Sequence, residues 1–450
     1  MLAPRQHHRF AHARRESGQA VIVVLALCAA LGAALLVSFN VGQAVNAKQR
    51  VVNAADAAAY STAVWQARSL NYQAYLNRAV VANEAAIAQS VSLRSWSGYM
   101  NGALDNISRV TWFIPKIGQA TAALSRVWGR IDTALQPALA AGEVAMSQID
   151  HAFAAAEAAF HAASVAGTVT VASQVAERSP GGVRVSQGGH ALLARSSNAL
   201  RGFTQAYAGS ARTRQAELIV RARDGFTAER TFTLAPPGIP ALRVEKRGGT
   251  DLLGFNEWRG MDTLAAHVYE PIARWREGPV AWGAASNGAS MRGRGWHGGS
   301  WRTNPRTSRR AEQVVRRAAG YRGVPALRDL RAVNGRGGAA RDPELRVAVE
   351  LARDVGRVNW AQQAMRGAHV RSIRGETLQF GVPRGGTSLR AIGAARVTFD
   401  RPVGRADRQH EKGSLFNPYW RAHLAPVERT DRVAAAAANG VVDPFAGARQ

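Results

Sequence analysis

Few residues in this chain are spaced for chemistry. Gly293, Gly295 and Gly298 spell G-x-G-x-x-G, a pattern that lets backbone approach a pyrophosphate where a strand gives way to a helix. Here the flanking SNGASMR and GSWRTNPRT are loop-like, so a plain glycine loop is the reading. His151 and His161 stand ten residues apart in an Ala-rich stretch. His190, His267, His297, His369, His410 and His423 have no partner at metal-ligand spacing. Neither G-x-S-x-G nor a Walker loop occurs. Cys28 is the one cysteine, which excludes an intrachain disulfide and any Cys-based zinc or iron–sulfur site. No metal, cofactor or small-molecule substrate is expected, and the chain reads as a non-enzyme. An envelope enzyme with a spatially assembled triad stays open as one alternative.

Charge raises another alternative. The 450 residues hold 58 Lys+Arg against 31 Asp+Glu, a net charge of +27, and all but four of the bases are Arg. Arg292/Arg294, Arg306/Arg309/Arg310 with Arg316/Arg317, and Arg401/Arg405/Arg408 are clusters that could meet phosphates, with Trp296 and Trp301 among them. The bases are spread over the whole C-terminal region without a groove-reading motif. A solvated face is therefore preferred to specific nucleic-acid binding. Trp258, Trp275, Trp282 and Trp420 are expected in a core or interface.

The positioning elements begin with Ala20 to Phe39, twenty residues without a charge. As a helix at ~1.5 Å per residue this run spans about 30 Å, the hydrocarbon thickness of a bilayer. It exceeds the h-region of a cleaved signal, so a retained single-pass anchor is expected. Arg5, Arg9, Arg14 and Arg15 precede it and the first bases after it are Lys48 and Arg50. This asymmetry puts the N-terminus in the cytoplasm and the rest outside.

Four segments follow: residues 1–19, a basic cytoplasmic tail; 20–39, the membrane helix; 40–178, an Ala-rich helical region; and 179–450, a basic extracytoplasmic domain. The overall class is α+β, with one sheet carrying helices. Helix spacing from Val45 to Leu70 predicts a long helix leaving the membrane, and a second runs from about Pro137 to Glu177. Pro115 and Pro137 mark breaks or first turns. Residues 216–223 and 230–234 read as a hairpin turning at Asp224-Gly225; 241–246 and 395–400 read as strands. Met261–Tyr269, Arg310–Ala319 and Pro343–Met365 read as helices, and about 281–308 as a Gly-rich loop. Small side chains on the helix beyond the anchor permit close helix packing, which makes Ala55, Asp56 and Ala59 candidate contacts for a partner helix. Asp56 would set register there, as one polar residue does in a coiled coil.

Arg14-Arg15-Glu16-Ser17-Gly18-Gln19-Ala20 opens the apolar helix, Ser38-Phe39-Asn40-Val41-Gly42-Gln43 ends it, and Asn53-Ala54-Ala55-Asp56-Ala57-Ala58-Ala59-Tyr60 follows. This ordered set resembles the N-terminal domain of the TadE/TadG-like proteins of Flp pilus assembly, over residues 14–65 and as far as Trp96 at most. Leu415-Phe416-Asn417-Pro418-Tyr419-Trp420 is similar to an aromatic segment of longer members. The resemblance implies a non-enzymatic inner-membrane protein exposed to the periplasm, with other pilus-assembly or envelope proteins as partners. Val23 stands where a type IV prepilin would carry Glu after Gly18, which argues for an assembly role over that of major pilin.

Overall fold

The computed structural model describes residues 19–235, 237–238, 241–270, 274–288, 303–331, 342–361 and 388–440. Helix α1, Gln19–Thr111, is unbroken for 93 residues. The anchor and the Ala-rich region as far as Thr111 are thus one element, as expected from the run of strong helix formers without proline. Its first twenty apolar residues are exposed or half-exposed, while from Ala47 on its small side chains turn inward. A tight turn at residues 112–116, containing Pro115, reverses the chain into α2, Ile117–Arg178, which packs back along α1. Gly118 is required there: a Cβ would sit 2.6 Å from the Thr111 carbonyl oxygen. Pro137 causes no break and lies inside α2. The second helix therefore starts twenty residues before the expected point.

Beyond α2 come β1 (Arg184–Val185), α3 (Gln187–Phe203), β2 (Thr204–Ala206), α4 (Ala211–Arg221), α5 (Gly225–Ala228) and β3 (Phe232–Leu234). Then follow β4 (Leu242–Leu253), β5 (Glu257–Glu270), β6 (Arg274–Ser286), α6 (Pro305–Gln313), β7 (Arg316–Arg317) and β8 (Arg328–Leu330). The chain closes with β9 (Leu345–Asp354), β10 (Ser388–Phe399), β11 (Trp420–Leu424) and α7 (Arg429–Ala438). The class is mixed α+β, with two main sheets where one was expected. Sheet one has the order β1-β9-β10-β11 and is antiparallel throughout. Sheet two has the order β3-β4-β5-β6-β7, parallel only at β6–β7. β2 and β8 form a separate pair.

Both sheets lie against α1, at different heights. Leu345, Val347, Val349 and Leu351 alternate along β9 and enter one core with Val51, Ala55, Ala59 and Ala63 of α1. The other face of sheet one, through Ala348 and Ala394, meets Leu192 of α3 and Ala435 of α7. Higher on α1, Ile87, Ala88 and Val91 share a second core with Trp258 of β5 and Ala285 of β6. Two glycines allow the close approach. A Cβ on Gly393 of β10 would overlap the Ala55 carbonyl, and one on Gly283 of β6 would overlap the Ser95 carbonyl and the Tyr99 nitrogen.

Several local expectations are overturned. Residues 261–269 are strand β5, not helix; the strand is central, buried on both faces as far as Thr263, and so lacks the alternation that marks a half-buried strand. Residues 345–354 are strand β9, and the period-2 set just named outweighs the helix-like Ala and Glu content. The proposed first arm of a hairpin, 216–223, lies mostly in α4, whose buried Gln215 and Ile219 are four apart. Asp224 does not turn a hairpin but caps α5, accepting from the Thr227 amide at 2.9 Å. The helix read at 310–319 runs instead over Pro305–Gln313 with Pro in its first turn, and Arg316–Arg317 join sheet two. Of the expected glycine loop, 281–286 belong to β6 and 305–308 to α6; residues 289–302, with the G-x-G-x-x-G, lie outside the described residues.

Candidate functional site

Ala55 and Ala59 are fully buried, and what covers them is the chain's own sheet one. Their small side chains bring β10 close to α1, so no partner helix can reach them in this fold. Asp56 is half-buried beside Gly393, and burial raises its carboxyl above its ordinary range. The free face of α1 carries Asn53, Ala57, Tyr60, Arg68 and Tyr75, spaced to share one side of the helix. Lys48 at its lower end donates to the Arg390 carbonyl, tying α1 to β10 just above the anchor.

Opposite that face runs a polar stripe that the sequence reading missed: Gln66, Ser69, Gln73, Asn77, Glu84 and Ser95, all buried. Gln66, Asn77, Glu84 and Ser95 reach other elements, while Gln73 donates to Ser69 within α1. The Asn71 side chain exchanges two hydrogen bonds with the Trp420 backbone, both 2.9 Å, and Asn77 donates to the Leu415 and Arg328 carbonyls at 2.8 Å. The aromatic 415–420 segment is thereby fastened to α1, with the Trp420 ring in the core. Arg94 pairs with Glu143 of α2 at 3.1 Å and donates to the Arg316 carbonyl at 3.0 Å. The signal was present as polar residues three, four or seven apart within an Ala-rich helix, a pattern equally consistent with a solvated face.

The densest charge lies where α1 meets sheet two. Asp262 of β5 accepts from Ser95 (2.7 Å), Arg230 (2.8 and 3.0 Å) and Lys246 (2.5 Å). All four side chains are buried. Burial pushes the Asp262 carboxyl up, but the two cations outweigh it and hold the carboxyl below its ordinary range. Burial lowers the Lys246 ammonium, with the Asp262 charge opposing. Lys246 also lies 4.6 Å from the Tyr99 ring centroid, a cation–π contact. The arrangement is a clamp between helix and sheet.

Between α1 and α2 sit buried acids, of which Glu157 has Arg328 nearby, its charge opposing the effect of burial. Glu84 accepts from the Trp258 indole at 2.7 Å and the Tyr321 hydroxyl at 2.9 Å; burial pushes its pKa to about 7, with those bonds opposing. Asp150 accepts from Asn83 at 2.7 Å, and burial, aided by the Glu84 charge, raises it to about 8. Burial also raises Glu157 to about 8. The folded chain keeps protons here that the unfolded chain releases near pH 4, so these groups make stability fall as pH rises toward 8. His161, which burial keeps neutral down to about 4, works the other way only below about pH 6.5. Between pH 6.5 and 8.5 the unfolding free energy should drop by roughly 2–4 kcal/mol. Denaturant titration across that range checks it; Glu84→Gln with Asp150→Asn should flatten the slope, and an unchanged slope would refute the assignment.

The histidines are dispersed: His151 bonds the Gly323 carbonyl, His267 lies 3.3 Å from Asn304, and His410 pairs with Asp342 at 2.6 Å. No group of three or more metal-ligating side chains is found among the described residues. Several bases of these clusters are paired internally: Arg316 with Asp132, Arg401 with Glu411, and Arg405 with Asp407, while the Arg306 guanidinium donates to the Glu277 carbonyl. Arg310 lies over Trp282 at 5.1 Å. Arg292, Arg294, Trp296 and Trp301 fall outside the described residues. Trp258 and Trp420 are core residues, while Trp275 stacks edge-on against Tyr269.

No curated protein and no solved structure matches the chain. One family does, over residues 18–66: Tad, the TadE/G-like Flp pilus-assembly family. The matched stretch holds the apolar span, Asn40 and the Ala55–Ala59 contact with β10. The first half of helix α1 is therefore similar to the TadE/G-like domain of Flp pilus assembly over residues 18–66.

Proposed function

We propose that the chain is a non-enzymatic component of a Tad/Flp-type pilus assembly or secretion apparatus. Residues 20–39 anchor it in the inner membrane, residues 1–19 stay in the cytoplasm, and the remainder stands in the periplasm. The observation that carries this reading is continuity. The TadE/G-like segment is the root of a single helix that leaves an exposed apolar span and enters the cores of both sheets. Such a helix acts as a mast, holding two sheet surfaces at fixed heights above a bilayer. Its polar stripe and its glycine contacts serve that rigidity. Partner proteins meet the free face at Tyr60 and Tyr75, with Asp56 near its edge.

Two measurements test this. Alkaline phosphatase fused after residue 440 should be active, whereas a fluorescent cytoplasmic reporter there should be dark; the reverse sinks the orientation. Photo-crosslinkers placed at Tyr60 and Tyr75 in native membranes should trap other envelope proteins, and one at Ala55 should react only within the chain. Partner adducts at Ala55 and none at Tyr60 or Tyr75 would refute the face assigned.

A further inference from the structure

The hairpin tip between α1 and α2 carries an apolar surface that no element of the described chain covers. Ile107, Val110, Trp112, Phe113, Ile117 and Leu124 are all exposed. At 76% exposure Trp112 is the most exposed large apolar side chain among the described residues, ahead of every residue of the apolar span. Phe113, at 64%, packs edge-on against it with ring centroids 6.3 Å apart.

The tip is built, not frayed. The Ile114 amide bonds the Thr111 carbonyl and the Gly118 amide bonds the Ile114 carbonyl, at 3.0 and 2.9 Å. The Thr111 and Thr121 hydroxyls join the two helices at 2.8 Å. Lys116 holds a positive φ of 66°, and Gly118 leaves no room for a side chain. The turn therefore holds two aromatic rings outward on a rigid support, without the ordering cost a flexible loop would incur on binding.

Charge selects the occupant. Arg109 and Lys116 are exposed beside the rings, and Arg126 and Arg130 are exposed further along α2. The sole acid between residues 100 and 131 is Asp105, which already pairs with Arg109 at 2.6 Å. Aromatic and aliphatic side chains flanked by bases fit the interface of an anionic bilayer, where rings enter the headgroup boundary and cations meet phosphates. Each base near such a surface raises partition about fivefold. The bilayer is not the one around residues 20–39. From Phe39 to Thr111 a continuous helix rises by about 110 Å.

We infer that the α1–α2 tip is a lipid-docking site that inserts Trp112 and Phe113 into the headgroup region of a second, anionic bilayer, so that the chain bridges two membranes. The bridging rests on the anchor reading above; the docking itself does not.

The full chain is reconstituted through its apolar helix into phosphatidylcholine donor vesicles. Protein-free acceptor vesicles of phosphatidylcholine, with or without phosphatidylglycerol, are then added. Vesicle tethering is followed by light scattering. An environment-sensitive nitrobenzoxadiazole dye is attached at Phe113→Cys in a Cys28→Ser background. Anionic acceptors should be tethered and should shift the dye emission to the blue, neutral ones should do neither, and 1 M salt should weaken both effects. Trp112→Ser with Phe113→Ser, at exposed turn positions, should cut tethering about tenfold or more while the helical circular-dichroism signal stays unchanged. Tethering that survives the double substitution overturns the proposal. So does a dye response that needs the chain on the acceptor vesicles, which would mean tip-to-tip pairing of copies. If the chain fails to float with donor vesicles, the anchor reading falls. Dye-labelled chain added directly to anionic vesicles then still tests the tip.

Discussion

Gly393→Val should uncouple sheet one from helix α1. Even the first side-chain atom at position 393 would overlap the Ala55 carbonyl and lie 2.6 Å from the Asp56 nitrogen. Both are backbone atoms of a helix held by its own hydrogen bonds, so no rotamer change relieves the clash. Overpacking of cores costs typically about 1–3 kcal/mol where side chains can yield. Here the helix or the strand must move as a body, which puts the loss at or above about 3 kcal/mol. The core at risk contains Val51, Ala59, Val347, Val349 and Val397. Limited proteolysis of detergent-solubilised protein should therefore open cleavage in 342–361 and 388–424 before sheet two is attacked. Wild-type protection in both sheets would show that the contact tolerates bulk. The substitution also probes function, because the helix segment it strikes lies inside the stretch that matches the TadE/G-like family.

Asp262→Ala should be about as damaging at the other clamp. It strands Arg230 and Lys246, each with a side chain only 5% exposed, and leaves the Ser95 hydroxyl without its carboxylate. Removing one partner of a buried ion pair costs about 3–5 kcal/mol, because the remaining charge stays desolvated. Against a total stability of roughly 5–15 kcal/mol for a typical domain, that is a large share. Asp262→Asn keeps the shape and one acceptor and should lose less. Adding Lys246→Met to Asp262→Asn should recover part of the loss, since it removes a cation that has lost its counter-charge. Chemical denaturation of wild type, Asp262→Asn, Lys246→Met and the double variant forms the cycle. If Lys246→Met worsens Asp262→Asn, the pair is not the energetic link assigned to it. The same variants should leave the hairpin tip intact, since no tip residue contacts Asp262.

Much of the first third was legible in the residues. Twenty uncharged apolar positions, the absence of proline from the span up to Pro115, and the Ala-rich spacing after Val45 required a helix continuing from the span. Strands at 241–246 and 395–400 were legible because alternation and β-branched residues agree there. The errors fall where local pattern and tertiary role part company. β5 reads like a helix because Ala265 and Ala266 interrupt its β-formers, and pairing to β4 and β6 decides it. For β9 the alternating Leu345, Val347, Val349 and Leu351 were visible, yet Ala and Glu between them favour a helix taken alone.

Chemistry shows the same division. Composition and spacing alone established a long apolar span, a basic surplus dominated by arginine, and small residues around Asp56 able to pack closely. What those small residues pack against could not be read: Ala55 and Ala59 suit a partner helix or a glycine of β10 equally well, and only the return of the chain some 340 residues later selects the second. Nor could the residues around Asp262 be joined in advance, since Ser95, Arg230, Lys246 and Asp262 come from four separate stretches. Local sequence determines which segments are apolar and which way they repeat. Which buried charge meets which counter-charge depends on contacts between segments far apart in the chain, and those exist only once helix and sheets have closed on one another.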